Sequence, residues 1–301
     1  MSGSLIAILS AVCFAASNTC TRRGVLGVKN AHLGVYISVF MAPPLFLLFA
    51  LIIGDIKSIA TFTWLGYTWL ALAGIVHFVA GRSFNYMAIK YLGANMTTVF
   101  SSLNLLYTVL LGIFILGEHL SRNVALGVMF IIIGPMLLAW SPGKESTVIK
   151  AADKDKPRIS RKGILAGLAC GVFFGISPLF IKLGLQQGGS PLAGTFVSYT
   201  SAMLVLGVML GSPGRRDNVL HMDRKALVWF TLAGFFVGAA QLLRYTALNL
   251  IPVSVASPLI STNPLFLLVF SFVVNRRLES FRINVILGAI LVVIGTVLIY
   301  R

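Results

Sequence analysis

The fold is decided by two stretches that share one pattern: YMAIKYLGANMTTVFSSLNLLYTVLLGIFILGEHLSRNVALGVMFIIIG at 86–134 and YTALNLIPVSVASPLISTNPLFLLVFSFVVNRRLESFRINVILGAILVVIG at 245–295. Between 118–134 and 279–295, seven of 17 positions are identical. Polar residues also recur in order, namely Tyr86 with Tyr245, Ser102 with Ser261, Asn104 with Asn263, and Glu118 with Glu279. Apolar helices do not require polar matches of this kind, so we interpret the stretches as copies of one unit.

The repetition extends outward over the chain at an offset near 160. In the earlier part of each copy, the matches are Phe14 with Phe174, Ser17 with Ser177, and Gly24 with Gly184. Each copy contains five hydrophobic stretches, and five is odd, so the second copy must enter a membrane from the opposite side. Inverted repeats of this kind are typical of secondary transporters. The sequence therefore predicts an all-α integral membrane protein with ten transmembrane helices in two inverted five-helix repeats.

Composition supports a membrane protein. The chain of 301 residues is 57% hydrophobic and only 11% charged, whereas a soluble domain carries roughly 25% charged residues. A membrane span needs about 20 mostly apolar residues. The predicted spans are 4–21, 33–53, 64–89, 93–116, 123–140, 163–185, 191–211, 226–249, 252–275 and 282–300. The first lacks a basic residue before its apolar run, so we interpret it as a retained span, with a signal peptide as the alternative.

The distribution of positive charge predicts the topology. The formal net charge is +16, yet eighteen basic residues fall in the loops after the odd-numbered spans and only three on the opposite side. This bias indicates that those loops face the cytoplasm. We expect a multi-pass protein of the cytoplasmic (inner) membrane, with both termini non-cytoplasmic and the 141–162 linker cytoplasmic. The charge then contacts anionic membrane lipid, and we expect no nucleic-acid partner.

A polar linker separates the two copies. The segment SPGKESTVIKAADKDKPRIS at 141–160 is charged and bounded by prolines, which is typical of a loop. We predict a first repeat at 1–141, a linker at 142–162 and a second repeat at 163–301.

Acidic residues are informative by their positions. The eight acids all lie in loops or at span ends. A proton or sodium antiporter usually carries a carboxylate inside a span to bind the coupling cation, so we expect facilitated diffusion or coupling through another group. The three cysteines form no CxxC motif, and no metal-ligand or nucleophile motif is present. We therefore predict no catalytic residues, no metal site and no cofactor.

Polar residues inside the spans are the candidate solute contacts, because burying an unsatisfied polar group in hydrocarbon costs several kcal/mol. Matching breaks near the membrane midplane in both copies point to a transporter site. The candidates are Asn18, His77, Arg82, Tyr86, Ser101, Asn104, Tyr107, Ser177, Tyr199, Gln241, Arg244, Tyr245, Ser257, Ser261 and Asn263. For the serines and asparagines, hydrogen bonding between helices is the alternative. For the tyrosines, ordinary packing is the alternative to stacking on a solute.

The candidates that can carry a charge could bind a proton or an anionic group of the solute. His77 is of the type that titrates near neutral pH, and it serves either a proton-linked step or a bond between helices. Arg82 and Arg244 either bind an anionic group of the solute or extend to the membrane interface. Lys182 is open to the same two interpretations.

Two motifs resemble a known family. The string LGEHLSRNVALGVMFIIIG, after a span ending YMAIKYLGAN, is similar to the EamA domain of the drug/metabolite transporter superfamily, and RYTALNLIPVSVASPL with LESFRINVILGAILVVIG resembles a second copy. The resemblance implies ten helices and the export of amino acids, including aromatic ones, or of other metabolites. The sequence departs from the family pattern at NRRLES (275–280), so the equivalence of Glu279 with Glu118 depends on a small alignment gap.

Three functions remain open on the sequence. We favour a secondary transporter that exports a small-molecule substrate by alternating access, as a protein that can act as a monomer. The alternative within transport is a sugar-phosphate or nucleotide-sugar exchanger, in which Lys182 and Arg244 hold the phosphate. The alternative of another class is an integral membrane enzyme that modifies lipid.

Overall fold

The structure, a computed structural model, describes residues 2–25, 33–92, 94–139, 161–211, 223–274 and 283–300. All regular secondary structure in these ranges is helical. Most of the predicted linker (142–162) and Glu279 lie outside them, so the predicted repeat boundaries stay predictions.

Twelve helices build the described part of the chain. They are α1 (Gly3–Val25), α2 (Leu33–Ile52), α3 (Trp64–Gly74), α4 (Arg82–Leu92), α5 (Ala94–Leu116), α6 (Arg122–Ala139), α7 (Arg161–Leu185), α8 (Pro191–Leu210), α9 (Arg224–Leu250), α10 (Val253–Ile260), α11 (Asn263–Val274) and α12 (Ile283–Tyr300). A π-helical segment, Ile75–Gly81, joins α3 to α4, and a 3-10 turn, Ile56–Ala60, follows α2.

These helices coincide with the predicted spans. Among the described residues, six helices are long and apolar enough to cross a membrane, and four shorter apolar helices occupy the positions of the remaining predicted spans. Large apolar side chains such as Phe114 and Val208 are more than 80% exposed on the outside of the bundle, where lipid covers them. The predicted all-α integral membrane fold is confirmed.

The helices alternate between two faces of the bundle. We call the face where α6 ends and α7 begins the linker face, and the face where α1 begins and α12 ends the terminal face. Following the helix order, α1, α4, α6, α8 and α11 end at the linker face, and α2, α5, α7, α9 and α12 end at the terminal face.

The packing of the helices follows the inverted repeat. Helix α1 packs on α9, and its counterpart α7 packs on α3 and α4. Likewise α5 packs on α7, and its counterpart α11 packs on α1, whereas α6 packs on its own counterpart α12. Each repeat therefore completes its core with helices of the other, and neither repeat is a separate body.

Glycines allow the closest of these contacts. A Cβ added to Gly127 would lie 2.6 Å from the carbonyl oxygen of Gly295, and one added to Gly134 would lie 2.7 Å from the carbonyl oxygen of Gly288. The repeat relates Gly127 to Gly288 and Gly134 to Gly295, so the two contacts are copies of each other. Backbones this close need small residues at the interface between membrane helices.

The π-helical segment marks a one-residue difference between the repeats. Gly74 corresponds to Gly234 at an offset of 160, whereas Tyr86 corresponds to Tyr245 at an offset of 159. The first repeat thus has one extra residue between these positions, in the interval that contains Ile75–Gly81. A π turn holds one more residue than an α turn, so the segment absorbs the insertion and leaves the end of α4 in register with the end of α9.

The ninth span is broken into α10 and α11. At the break, Thr262 donates its amide (3.3 Å) and its hydroxyl (2.7 Å) to the carbonyl oxygen of Leu259. Pro258 and Pro264 stand on either side of the break. Because proline lacks an amide hydrogen, Pro264 cannot continue the α-helical bonding to the carbonyl of Ile260. The break falls near the middle of the span.

Two charged side chains fix the turn between α9 and α10 at the terminal face. The Glu118 carboxylate accepts the amides of Val253 (2.6 Å) and Ser254 (2.8 Å), which open α10. A carboxylate is favourable at a helix amino terminus, where amides lack helical acceptors. Lys182 donates to the carbonyl oxygens of Leu248 (2.7 Å) and Ile251 (3.2 Å), where α9 ends. Both side chains therefore satisfy backbone groups that the turn leaves unpaired.

Candidate functional site

A cavity of about 170 Å³ lies between the two repeats, in the middle of the bundle. Residues from six of the spans line it: Phe14, His77, Asn104, Leu105, Thr108, Phe174, Pro178, Arg244, Ser257, Ile260, Ser261 and Asn263. We call it the central cavity. Six of the predicted solute contacts meet here, namely His77, Asn104, Arg244, Ser257, Ser261 and Asn263.

Irregular helix geometry shapes two walls of the central cavity. His77 lies in the π-helical segment, and Ser261 lies at the break between α10 and α11. Single π turns are frequent at functional sites, and broken helices occur in transporters at the solute site. Asn104 and Asn263, equivalent positions of the two repeats, contribute amides from opposite walls.

Arg244 supplies the positive charge of the central cavity. Its side chain is 8% exposed, and no ion pair to it is present among the described residues. The arginine therefore does not extend to the interface, which was one of the two expectations from the sequence. None of the described residues that line the cavity is acidic. An unpaired guanidinium in a cavity can bind a carboxylate through two parallel hydrogen bonds.

The side chains of His77 and Gln241 contact each other, and both Arg82 and Arg244 are near His77. The Nε2 atoms of His77 and Gln241 are 3.2 Å apart, and both arginines are close enough to His77 to interact with it electrostatically. The Nδ1 atom of His77 is buried and has no hydrogen-bond partner in the described structure. His77 therefore has one nitrogen bonded to Gln241 and one buried nitrogen without a partner among the described residues.

Two predicted tyrosines lie behind the central cavity and do not line it. Tyr199 is fully buried, and its ring contacts those of Phe78 (4.3 Å between centroids) and Phe46 (5.5 Å). Tyr245 is 2% exposed and hydrogen-bonds to the side chain of Ser198. Both tyrosines are near enough to Arg244 to interact with it electrostatically. The two tyrosines are therefore part of the surroundings of Arg244, although neither lines the central cavity.

A second cavity of about 280 Å³ lies toward the linker face. Its lining residues are Phe14, Ser17, Asn18, Thr21, Gly34, Val35, Ser38, Arg82, Asn85, Phe174, Ala233 and Val237. We call it the linker-side cavity. It contains two of the predicted solute contacts, Asn18 and Arg82, so the structure divides the predicted set between two cavities.

Phe14 and Phe174 line both cavities. They are equivalent positions of the two repeats, at an offset of 160. A residue pair related by the repeat and shared by two cavities lies at the boundary between them. The two rings therefore separate the central cavity from the linker-side cavity.

The remaining predicted contacts have other surroundings. Ser177 is 1% exposed, and its hydroxyl has no partner within the described residues. Tyr107 packs on α7, where a Cβ added to Gly175 would lie 2.7 Å from the Cβ of Tyr107. The side chains of Tyr86 and Ser101 lie outside the described part of the structure.

Comparison with known proteins identifies the family. Residues 1–140 and 161–301 both match the EamA-like transporter family. The chain belongs to the EamA-like transporter family. One solved structure, described only as "Crystal structure of protein", superposes with a TM-score of 0.75 at 16% identity, over 98% of this chain and 95% of that chain. It shares the fold. No relative among the curated proteins matches the chain.

Membership in the EamA-like family makes the protein a multi-pass membrane transporter of small solutes. Its members are transporters and not enzymes, in agreement with the direction that the sequence favoured. The family match covers both repeats, which confirms the duplication inferred from the polar matches.

Sequence reasoning missed several residues that line the central cavity of this EamA-like transporter. Phe14 and Phe174 were recognised as a repeat match but not as contacts, and Thr108 was not recognised at all. Thr108 donates to the carbonyl oxygens of Asn104 and Gly175, each at 2.8 Å. The match of two phenylalanines at an offset of 160 was the available signal. Thr108 gave none, because its role depends on which helix lies opposite.

Lys182, one of the two cations that the phosphate-exchange alternative assigns to the phosphate, does not reach the central cavity. Lys182 is engaged by two backbone carbonyl oxygens at the terminal face, and it is not among the residues that line the central cavity. Arg244 alone remains for an anionic group there. One arginine matches a single carboxylate better than the larger charge of a phosphate ester.

Proposed function

We propose that the protein exports small carboxylate-bearing metabolites, with amino acids, including aromatic ones, as the substrate class. The observation that carries the proposal is the buried Arg244, which has no ion pair among the described residues and lies in a cavity whose described lining includes no acidic residue. Burial of a positive charge without an anionic partner costs free energy. A solute carboxylate that binds Arg244 offsets this cost.

The rest of the central cavity suits a small amphipathic solute. Its volume of about 170 Å³ is below the range of about 300–1,000 Å³ that is typical for drug-sized ligands. Phe14, Phe174 and Ile260 provide an apolar surface. Side-chain oxygens of Asn104, Asn263 and nearby serines can accept from an ammonium group without adding a negative charge.

The same composition supports transport without a coupling carboxylate. The described residues include three acids. Glu118 is bonded to the amides that open α10, Asp55 accepts a hydrogen bond from Ser190, and Asp223 is exposed directly before α9. None of the three lines the central cavity. We propose facilitated diffusion by alternating access, in which helices of the two repeats rock against each other and open the central cavity to one face at a time. We further propose that the linker face is cytoplasmic.

The first test is uptake of a panel of labelled amino acids into proteoliposomes, with and without an imposed pH gradient. Saturable uptake without the gradient is expected, since none of the described residues that line the central cavity is a carboxylate able to bind a coupling proton. Uptake that requires the gradient would overturn facilitated diffusion and would make His77 the residue to study. Failure of every amino acid, together with exchange of phosphorylated solutes, would replace the proposal with the phosphate exchanger.

The second test addresses the carboxylate directly. Arg244→Gln is expected to raise the half-saturation concentration for an amino acid roughly ten- to hundredfold, because hydrogen bonds to charged groups contribute about 1.5–3 kcal/mol. The amide of the same amino acid, which lacks the carboxylate, is expected to be insensitive to the substitution. Arg122→Gln removes an exposed charge at the start of α6 and is the control. Equal effects of Arg244→Gln on the acid and the amide would contradict carboxylate binding.

A further inference from the structure

We propose that the linker-side cavity is a second binding site for the same carboxylate-bearing solute, with Arg82 as its anion contact. The inference rests on the proposed function and extends it from one site to two. It treats the two cavities as successive stations on one path through the bundle.

The composition of the linker-side cavity parallels that of the central cavity. Among the described residues, Arg82 is the one charged side chain that lines it, and none of the described lining residues is acidic. Asn18, Asn85 and Ser38 add neutral hydrogen-bonding groups. The phenylalanines at its inner end supply an apolar surface. A carboxylate with a small amphipathic body therefore fits both cavities for the same physical reasons.

The two cavities are also related by the inverted repeat. Asn18 lies in the linker-side cavity, and its equivalent Pro178 lies in the central cavity. Asn85 lies in the linker-side cavity, and its equivalent Arg244, at an offset of 159, lies in the central cavity. These pairs relate part of the linker-side cavity to part of the central cavity, whereas Asn104 and its equivalent Asn263 both line the central cavity.

The arginines, in contrast, are not copies of each other. The repeat equivalent of Arg244 is Asn85, and the repeat equivalent of Arg82 is Gln241. Duplication alone would have placed a cation at the same position in both copies or in neither. Each cavity instead holds one arginine at its own position, as expected if both cavities must bind the same anionic group.

The guanidinium of Arg82 is positioned by an aromatic ring and not by a carboxylate of the described residues. Its guanidinium carbon lies 5.4 Å from the ring centroid of Phe78, which is itself 2% exposed. Such a cation–π contact orients the guanidinium, and a guanidinium has five N–H donors with which to bind a carboxylate. No ion pair to Arg82 occurs in the described parts of the chain.

Phe14 and Phe174 separate the two sites. Because both rings border both cavities, a solute that moves from Arg244 to Arg82 passes between them. The pair of His77 and Gln241 is close to both arginines. The solute carboxylate therefore exchanges one guanidinium for the other while its apolar part crosses the aromatic boundary.

The experiment counts bound solute on the full-length protein. Labelled L-phenylalanine is equilibrated with purified protein in nanodiscs, and the number of molecules bound at saturation is measured by equilibrium dialysis. We expect two per wild-type protein, one in Arg82→Gln and one in Arg244→Gln. L-phenylalaninamide, which lacks the carboxylate, is expected to compete at neither site. Lys162→Gln, which removes an exposed charge at the linker face, is the control and keeps two.

The possible outcomes separate this inference from the proposed function. One bound molecule in the wild type, lost in Arg244→Gln and kept in Arg82→Gln, would overturn the second site and leave the proposed function intact. No binding of L-phenylalanine and no transport of any amino acid would overturn both. If Arg82→Gln does not fold, Asn85→Trp fills part of the same cavity with a bulky neutral side chain, and a second molecule that persists in this variant with unchanged affinity refutes the second site.

Discussion

The contact between α3 and α8 allows one substitution to be compared with its own copy in the other repeat. A Cβ added to Gly74 would lie 1.9 Å from the carbonyl oxygen and 2.7 Å from the carbonyl carbon of Ser198, so it meets backbone. A Cβ added to the equivalent Gly234 would lie 2.9 Å from the terminal methyl of Met41 and 3.2 Å from the Cα of Ser38. The first clash requires the helices to separate, whereas the second requires mainly that a flexible side chain turn away.

The free energies follow from these contacts. Overpacking in Gly74→Ala costs about 1–3 kcal/mol. Separation of the helices also breaks the 2.7 Å hydrogen bond from the Ser198 hydroxyl to the Leu70 carbonyl, which contributes about 0.5–1.5 kcal/mol. Alanine in place of glycine within a helix returns about 0.5–1 kcal/mol. The net loss for Gly74→Ala is therefore about 2 kcal/mol, whereas Gly234→Ala is expected to stay within about 1 kcal/mol of the wild type.

Thermal unfolding of the purified variants in detergent measures the difference. At about 2–4 °C per kcal/mol, Gly74→Ala is expected to unfold about 4–8 °C below the wild type, with Gly234→Ala close to it. Both variants add one methyl group to a helix interior, so each is the control for the other. Equal shifts, or a larger shift in Gly234→Ala, would refute the close backbone contact at Gly74.

Four further substitutions test the remaining contacts. Glu118→Gln replaces a carboxylate that accepts two amides by a group with one carbonyl oxygen, so we expect a loss of about 1–2 kcal/mol in unfolding free energy, visible as a lower Tm. Lys182→Met removes both bonds to the carbonyls that end α9; hydrogen exchange of the first amides of α10 is expected to accelerate, and unchanged exchange would contradict the role of the lysine in fixing that turn. Ser17→Ala removes a 2.8 Å bond to a carbonyl of α9 and is expected to cost about 0.5–1.5 kcal/mol. Its repeat equivalent Ser177→Ala removes a buried hydroxyl that lacks a partner in the described structure, so its Tm should equal or exceed that of the wild type; a drop as large as that of Ser17→Ala would show that Ser177 has an unrecognised partner.

The number and position of the helices followed from local properties of the sequence. Ten apolar stretches of membrane length predicted ten spans, and the helices lie at those positions. Hydrophobic length is a property of each segment alone, since a membrane helix satisfies its own backbone hydrogen bonds. The polar matches between copies predicted the duplication, which the match of both halves to one family confirms.

The π-helical segment shows what local reasoning overlooked. The change of offset from 160 at Gly74 to 159 at Tyr86 was present in the sequence, but the matches did not show where the extra residue is absorbed. One inserted residue would rotate all later side chains of an α-helix by about 100°, because a turn has 3.6 residues. The π turn removes this rotation and keeps α4 in register.

The assembly of the site depended on contacts that no single helix determines. The sequence supplied the polar residues, but interhelical bonding and solute contact remained open for most of them. Arg244, Arg82 and Lys182 had the same two interpretations, yet the structure places Arg244 in the central cavity, Arg82 in the linker-side cavity and Lys182 against backbone carbonyls.

Sequence alone therefore established the class of protein, the ten spans and the repeat, because hydrophobic length, charge and internal similarity are read along the chain. The packing of the helices decided three further features. These are the division of the path into two cavities, the boundary at Phe14 and Phe174, and the contacts made by each positively charged side chain. Those features depend on which faces of distant helices are in contact. The close glycine contacts, the π turn and the broken ninth span together determine these contacts.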